Sequence, residues 1–198
     1  MNRLPKFITV LTLVVSLASP LLARQQTSVA IFPIGSLSGG DRWIAIGLSR
    51  DLVEKLIRTP ELRPVATRRV NERLMSVLSK KSKGPAWLPA SAQRKIGHWL
   101  DADLILTGMA GSSGNRDAAR RFLDGLSIVP AETPEGSETW VAAKLIDIHL
   151  GHTVSWAFAE GSRDGFFELQ DALYLQLISD LGIDPGNMAQ GTIDRPNR

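Results

Sequence analysis

Residues 29–60 read VAIFPIGSLSGGDRWIAIGLSRDLVEKLIRTP, and the order of residue types in this stretch decides the fold class. Val29–Ile34 is continuously apolar, which suits a strand covered on both faces, as in a parallel sheet. Gly35–Gly40 is turn chemistry. Asp41 is placed to cap the helix that follows, where its charge favours the positive end of the helix dipole. Within that helix Ile44, Leu48, Leu52 and Leu56 recur every four residues, with Val53 and Ile57 widening the stripe, until Thr59-Pro60 stops it.

Downstream, Leu62–Thr67 reads as a second strand, and Pro64, which cannot donate to a ladder, assigns it to a sheet edge. Thr67 is placed to cap a helix over Arg68–Lys81 that buries Val70, Leu74 and Leu78. A loop over 82–89 leads to a third helix, Ser91–Leu100, presenting Ile96, Trp99 and Leu100. Asp103–Ala110 is a third strand. Gly111–Glu138 is an insert rich in Gly, Ser, Pro and acids around one helical piece, Asp117–Leu126, and a connection of that length is uncommon in a compact domain. Thr139–Ile148 and Thr153–Ala159 form an antiparallel hairpin, with Val141, Ala143 and Leu145 alternating on one strand and Val154, Trp156 and Phe158 on the other. A last helix, Asp164–Leu181, presents Phe166, Leu169, Leu173, Leu177 and Leu181. The expected fold is α/β, a single domain with a mixed sheet of about five strands in the order β-α-β-α-α-β-β-β-α, its C-terminal hairpin and its helices packed together.

The amino terminus has the layout of an export signal. Arg3 and Lys6 precede an apolar run, Phe7–Ala18, then Ser19-Pro20 and a small-residue cleavage site ending at Ala23. The expected organisation is a signal peptide over 1–23, a domain over 24–184 with the insert at 111–138, and a polar, disordered tail over 185–198. That implies a periplasmic or secreted protein. The alternative is an uncleaved anchor, but Phe7–Ala23 is 17 residues long and interrupted by Pro20, against the ~20 apolar residues of a spanning helix. The chain has no cysteine, which excludes disulfides, thiolate metal sites and a cysteine-linked lipid anchor.

The formal charge of +3 conceals a division. Arg58–Lys95 carries ten basic against two acidic residues, and Ala131–Asp184 carries two basic against ten acidic. The molecule is dipolar.

Six stretches carry a family likeness: VAIFPI at 29–34, IAIGLSRDLVEKL at 44–56, ELRPVATRRV at 61–70, IGHWLDADLILTG at 96–108, KLIDIHLGHTVSW at 144–156 and FFELQDALYLQLISDLGI at 166–183. Together they resemble the TolB amino-terminal-like domains of bacterial envelope and signalling proteins, and more distantly the CsgG and FlgO groups of outer-membrane assembly proteins. The most specific pieces are Gly47-Leu48, Ala102-Asp103 through Gly108, Leu145-Ile146-Asp147 with Gly151, and Trp156. The resemblance implies a fold and a non-enzymatic binding or assembly role, and it brings no catalytic residues. The chain departs from the family in the insert at 111–138 and in lacking the cysteine of its lipoprotein members.

Motifs for chemistry are absent or incomplete. Gly35 and Gly40 have P-loop spacing, but Asp41 and Arg42 stand where Lys and Ser/Thr belong, and a carboxylate there repels phosphate. Asp147, His149 and His152 are atoms suited to zinc at a hairpin turn that needs polar residues anyway, and no fourth ligand accompanies them. No G-x-S-x-G occurs. The reading is no enzyme, no catalytic, cofactor or metal residues and no cofactor.

The candidate binding surface is basic: Arg68, Arg69, Arg73, Lys80, Lys81 and Lys83, with Trp87 as an aromatic contact. Arg68 and Arg69 in a first helical turn oppose the dipole, a conflict that a bound anion would relieve. The expected partners are envelope proteins. A second copy of this chain, through its oppositely charged halves, and an anionic envelope component are further candidates, and export disfavours nucleic acid. The expected function is an exported envelope binding or assembly module acting through protein contacts, with a small-ligand or anion sensor as the alternative.

Overall fold

The computed structural model describes residues 26–78, 84–123, 129, 132 and 135–184. The expected signal peptide, the candidate contacts Lys80, Lys81 and Lys83, and the tail from 185 lie outside the described residues. The elements run β1 (Thr27–Ile31), β2 (Gly35–Ser36), α1 (Arg42–Ile57), β3 (Leu62–Pro64), α2 (Thr67–Val77), α3 (Ala90–Leu100), β4 (Leu104–Ser112), α4 (Arg116–Phe122), β5 (Thr139–Asp147), β6 (Thr153–Gly161) and α5 (Phe166–Ser179). The strands form one mixed sheet in the order β3-β1-β4-β5-β6, and β2 pairs with β4. Strand β1 is parallel to β3 and β4, and β4, β5 and β6 are mutually antiparallel. The expected α/β architecture with a C-terminal hairpin is the observed one.

The apolar run at the start of the chain is explained by burial on both sides. Val29 and Ile31 pack with α1 and α5, including Leu48, Leu52, Leu173 and Ile178. Ala30 and Phe32 pack on the opposite face with Val70 and Leu74 of α2 and Ile96 and Leu100 of α3. A third cluster continues that second face at its far end, where Phe122 of α4 meets Trp140 and Ala142 of β5 and Met109 of β4. Pro64 does mark an edge: β3 pairs with β1 over Thr27–Val29 and is the last strand on its side among the described residues.

Several local expectations need correction. Gly35 and Ser36 are not a turn but a two-residue strand opposite Met109 and Ala110. Asp41 does not cap α1. Its Oδ2 accepts from the Ser38 hydroxyl at 2.7 Å, and it is buried. Thr67 is the first residue of α2 rather than its cap. Val53 does widen the buried side of α1, packing half-buried against the core, but Ile57 does not and is exposed. Trp99 likewise lies at the surface while Ile96 and Leu100 are buried.

Strand β4 runs through Gly111 and Ser112, two residues into the expected insert, and a 3-10 turn at Ser113–Asn115 then leads into α4. The strand can continue because Gly111 has no side chain: a Cβ there would stand 2.6 Å from the buried Trp140 ring. The Trp140 indole in turn donates to the Ser112 carbonyl at 2.8 Å. In the hairpin a bulge at Leu145/Ile146 shifts the register. Val154 therefore packs with the α1–α5 side, whereas Trp156 and Phe158 pack on the other.

Candidate functional site

The expected basic surface divides in two. Arg68, Arg69 and Arg73 are all exposed on α2. Arg68 is paired with Glu72 on its own helix at 2.8 Å, an exposed contact of little energetic weight. Arg73 lies 5.7 Å from the Trp99 ring centroid and Lys95 lies 4.9 Å from it, so the aromatic partner of this patch is Trp99. Trp87 belongs to a 3-10 turn, Pro85–Trp87, and lines a separate cleft with Lys144, Arg121 and His152.

The D-x-H-x-x-H segment is used by its own turn. The Asp147 carboxylate accepts from the backbone N–H groups of His149 and Leu150 at 2.8 and 2.7 Å. His149 Nε2 stands 3.4 Å from Asp103 Oδ1, and His152 faces the cleft. Among the described residues no three such side chains converge as metal ligands.

The feature that sequence reasoning missed is on α1. Its inner side buries Ile44, Ala45, Leu48, Leu52 and Leu56. Its outer side carries a second apolar stripe, Trp43, Ile46 and Ile57, with Arg50 and the half-buried, core-packed Val53 between them. The steps between these positions alternate three and four residues, so they lie along one line of the helix. Trp43 is 48% exposed, Ile46 53% and Ile57 63%. Phe167 at the start of α5 is 73% exposed next to Phe166, which itself meets Trp43 edge-on at 5.3 Å. Helices α1 and α5 approach closely here because Gly47 faces the Phe166 ring, where a Cβ would be 3.0 Å from it.

This stripe borders a groove of about 400 Å³ between α1, the end of β1 and the start of α2. Ile46, Val53, Pro33 and Ile34 form its walls, with Ser49, Arg50, Glu54, Thr67 and Asn71 along it. Ser49 fixes one wall, accepting from the Ile34 N–H at 2.9 Å and donating to the Ala45 carbonyl at 2.7 Å. Strand β1 also outruns its edge partner. The last β3 pairing is Val29 with Pro64, and the Phe32 N–H turns inward to Leu106. The outer backbone edge of Ile31 therefore faces the groove. The walls are apolar and the rim is charged.

Two more polar contacts set the electrostatics of the fold. Arg116 stands 2.9 Å from Glu160, their side chains only 8% and 3% exposed, but out of line for a hydrogen bond. Burial pushes the Glu160 carboxyl above its ordinary value, by more than Arg116 and Ser113 draw it down. On the opposite side of the sheet Tyr174 meets Thr59 at 2.6 Å, and burial raises the tyrosine hydroxyl.

No family model matches the chain, and no curated protein does. Solved structures that resemble it include the LpoB C-terminal domain from Salmonella enterica, at 9% identity and a TM-score of 0.43, over 69% of this chain and 83% of that one. Lipoprotein GNA1162 from Neisseria meningitidis overlaps at 13% identity and a TM-score of 0.46, over 83% of this chain and 98% of that one. TolB from Acinetobacter baumannii overlaps at 16% identity and a TM-score of 0.37, over 78% of this chain and 29% of that one. The TolB likeness read from the sequence is therefore a loose one in structure. At these identities and scores the overlaps concern the course of the backbone and carry no functional argument.

Proposed function

We propose that this protein is a non-enzymatic binding module of the bacterial cell envelope that works by protein contact, with the outer stripe of α1 and its groove as the docking face. One observation carries the reading: α1 is apolar on two sides, and the fold uses one of them. Burying exposed apolar area gains roughly 25 cal/mol per Å², so Trp43, Ile46, Ile57 and Phe167 form a surface that gains from being covered. The composition is that of an interface centre, aromatic and aliphatic, and Arg50 and Glu54 supply a polar rim. The export signal read in residues 1–23 supports the compartment, and no helix among the described residues is long and apolar enough to cross a membrane. Helix α2 reaches the groove through Thr67 and Asn71.

The test is site-specific photocrosslinking in the envelope of the source bacterium. Crosslinkers at Ile46 and Ile57 are expected to trap a protein partner that a crosslinker at Leu150, equally exposed on the hairpin turn, does not. Equal trapping from all three positions, or none from α1, overturns the reading.

A further inference from the structure

We infer that the cleft on the opposite face of the sheet binds a small organic anion, a carboxylate or phosphate attached to an apolar or ring-shaped body. The cleft has a volume of about 450 Å³ and is assembled from four separate segments, around Trp87, Arg121, Lys144 and His152. Both charged side chains in its lining, Arg121 and Lys144, are basic, and the His152 imidazole lies beside them. The Arg94 guanidinium adds a further cation at the rim, lying over Gly151, whose positive φ of 75° turns the hairpin back there. Among the described residues no carboxylate lines the cleft.

This positive enclave lies partly within the acidic part of the chain. Lys144 is one of two basic residues in 131–184, against ten acids. It stands in the middle of β5, which is paired on both sides, with Thr107 opposite it on β4 and Trp156 on β6. Its neighbours along the same face are Ala142 and Ile146, both buried, so the apolar packing of this face gives no reason for a lysine. The Thr107 hydroxyl is buried and without a hydrogen-bond partner among the described residues, which makes this row polar beneath an otherwise apolar floor.

The ammonium of Lys144 is oriented. It donates to the Phe122 carbonyl at 3.0 Å and lies 5.1 Å from the Phe122 ring centroid. It supplies a fixed positive field at the base of the cleft, while Arg121 and His152, both exposed, supply the direct donors to an oxyanion. Trp87, Leu88 and Ile146 form apolar walls, so inorganic phosphate alone fills only part of the site.

The experiment is thermal unfolding of the full chain titrated with phenyl phosphate, benzoate and inorganic phosphate, for the unmutated protein and for Arg121→Gln, His152→Gln and Arg68→Gln. Saturable stabilisation by phenyl phosphate or benzoate is expected, with a weaker effect of inorganic phosphate. Half-saturation should weaken about tenfold in Arg121→Gln and His152→Gln, the loss of one charge-assisted bond, and remain unchanged in Arg68→Gln. Co-sedimentation with phosphatidylglycerol vesicles separates two sources of the same chemistry. Vesicle binding lost in Arg121→Gln identifies a lipid headgroup, and stabilisation without vesicle binding identifies a soluble ligand. No saturable shift from either aromatic anion, or an equal loss in Arg68→Gln, overturns the inference.

Discussion

The Asp103 carboxylate holds the beginning of β1 through Ser28: its Oδ2 accepts from the Ser28 backbone N–H at 2.7 Å and from the Ser28 hydroxyl at 2.8 Å. The Asp103 N–H returns a bond to the Ser28 carbonyl at 2.9 Å. One side chain thereby closes two strands at the same end of the sheet. Burial pushes the Asp103 carboxyl up, but the bonds from Ser28 and His149 outweigh that and hold it below its ordinary value of 3.8. A depressed carboxylate contributes stability that is present above its unfolded value and lost as pH falls through its folded one. Asp103 is about half exposed, so Asp103→Ala should cost only about 1–2 kcal/mol at pH 7. In chemical denaturation followed from pH 7 to pH 3 that difference should shrink below about pH 4.

Glu160 has the opposite sign. Its raised carboxyl contributes stability that is fully present below 4.5, its ordinary value, and lost as pH rises through the folded value. Arg116→Met removes its compensating charge and should destabilise the protein by about 3 kcal/mol at pH 7, and by less at pH 4.5. The double variant Arg116→Met, Glu160→Leu should recover most of the loss at pH 7. A pH-independent effect of Arg116→Met would show that the pair is not electrostatically coupled.

Two glycines separate steric need from chance. A Cβ at Gly108 would stand 2.8 Å from the Ala142 carbonyl and 2.6 Å from Ile34, whereas one at Gly114 would meet nothing within 4 Å. Gly108→Ala should cost about 2–3 kcal/mol in thermal or urea unfolding, and Gly114→Ala should stay within about 0.5 kcal/mol.

The two sides of α1 should behave differently under substitution. Leu48 is fully buried, so Leu48→Ala should cost about 2–5 kcal/mol. Ile57→Ser on the outer stripe should change stability by no more than about 0.5 kcal/mol while abolishing partner crosslinking through that stripe. A large loss of stability in Ile57→Ser would make the stripe part of the fold rather than a contact surface.

Much of the architecture was legible because it follows from burial. The unbroken run Val29–Ile34 required cover on both faces, Pro64 required an edge, and Leu169, Leu173 and Leu177 required a helix lying on a core. The failures were of two kinds. Gly35-Ser36 is too short to show any period, and turn-forming residues disguise its pairing with β4. Ile57 was visible as apolar, but apolar residues on a helix read as core unless tertiary packing shows which side is used. Trp87 is exposed, and the residues that share its cleft, Arg121, Lys144 and His152, are brought to it by chain reversals that leave no local signature. Only Lys144, a lone base amid acids on a strand, gave a local clue.

The two ends of the sheet are unequal. On one side β3 offers three residues ending in proline, and on the other β6 presents nine residues with no further strand beside them among the described ones. Pro64 leaves the β3 border without one outward N–H donor, so an added strand has less backbone to bond there than along β6.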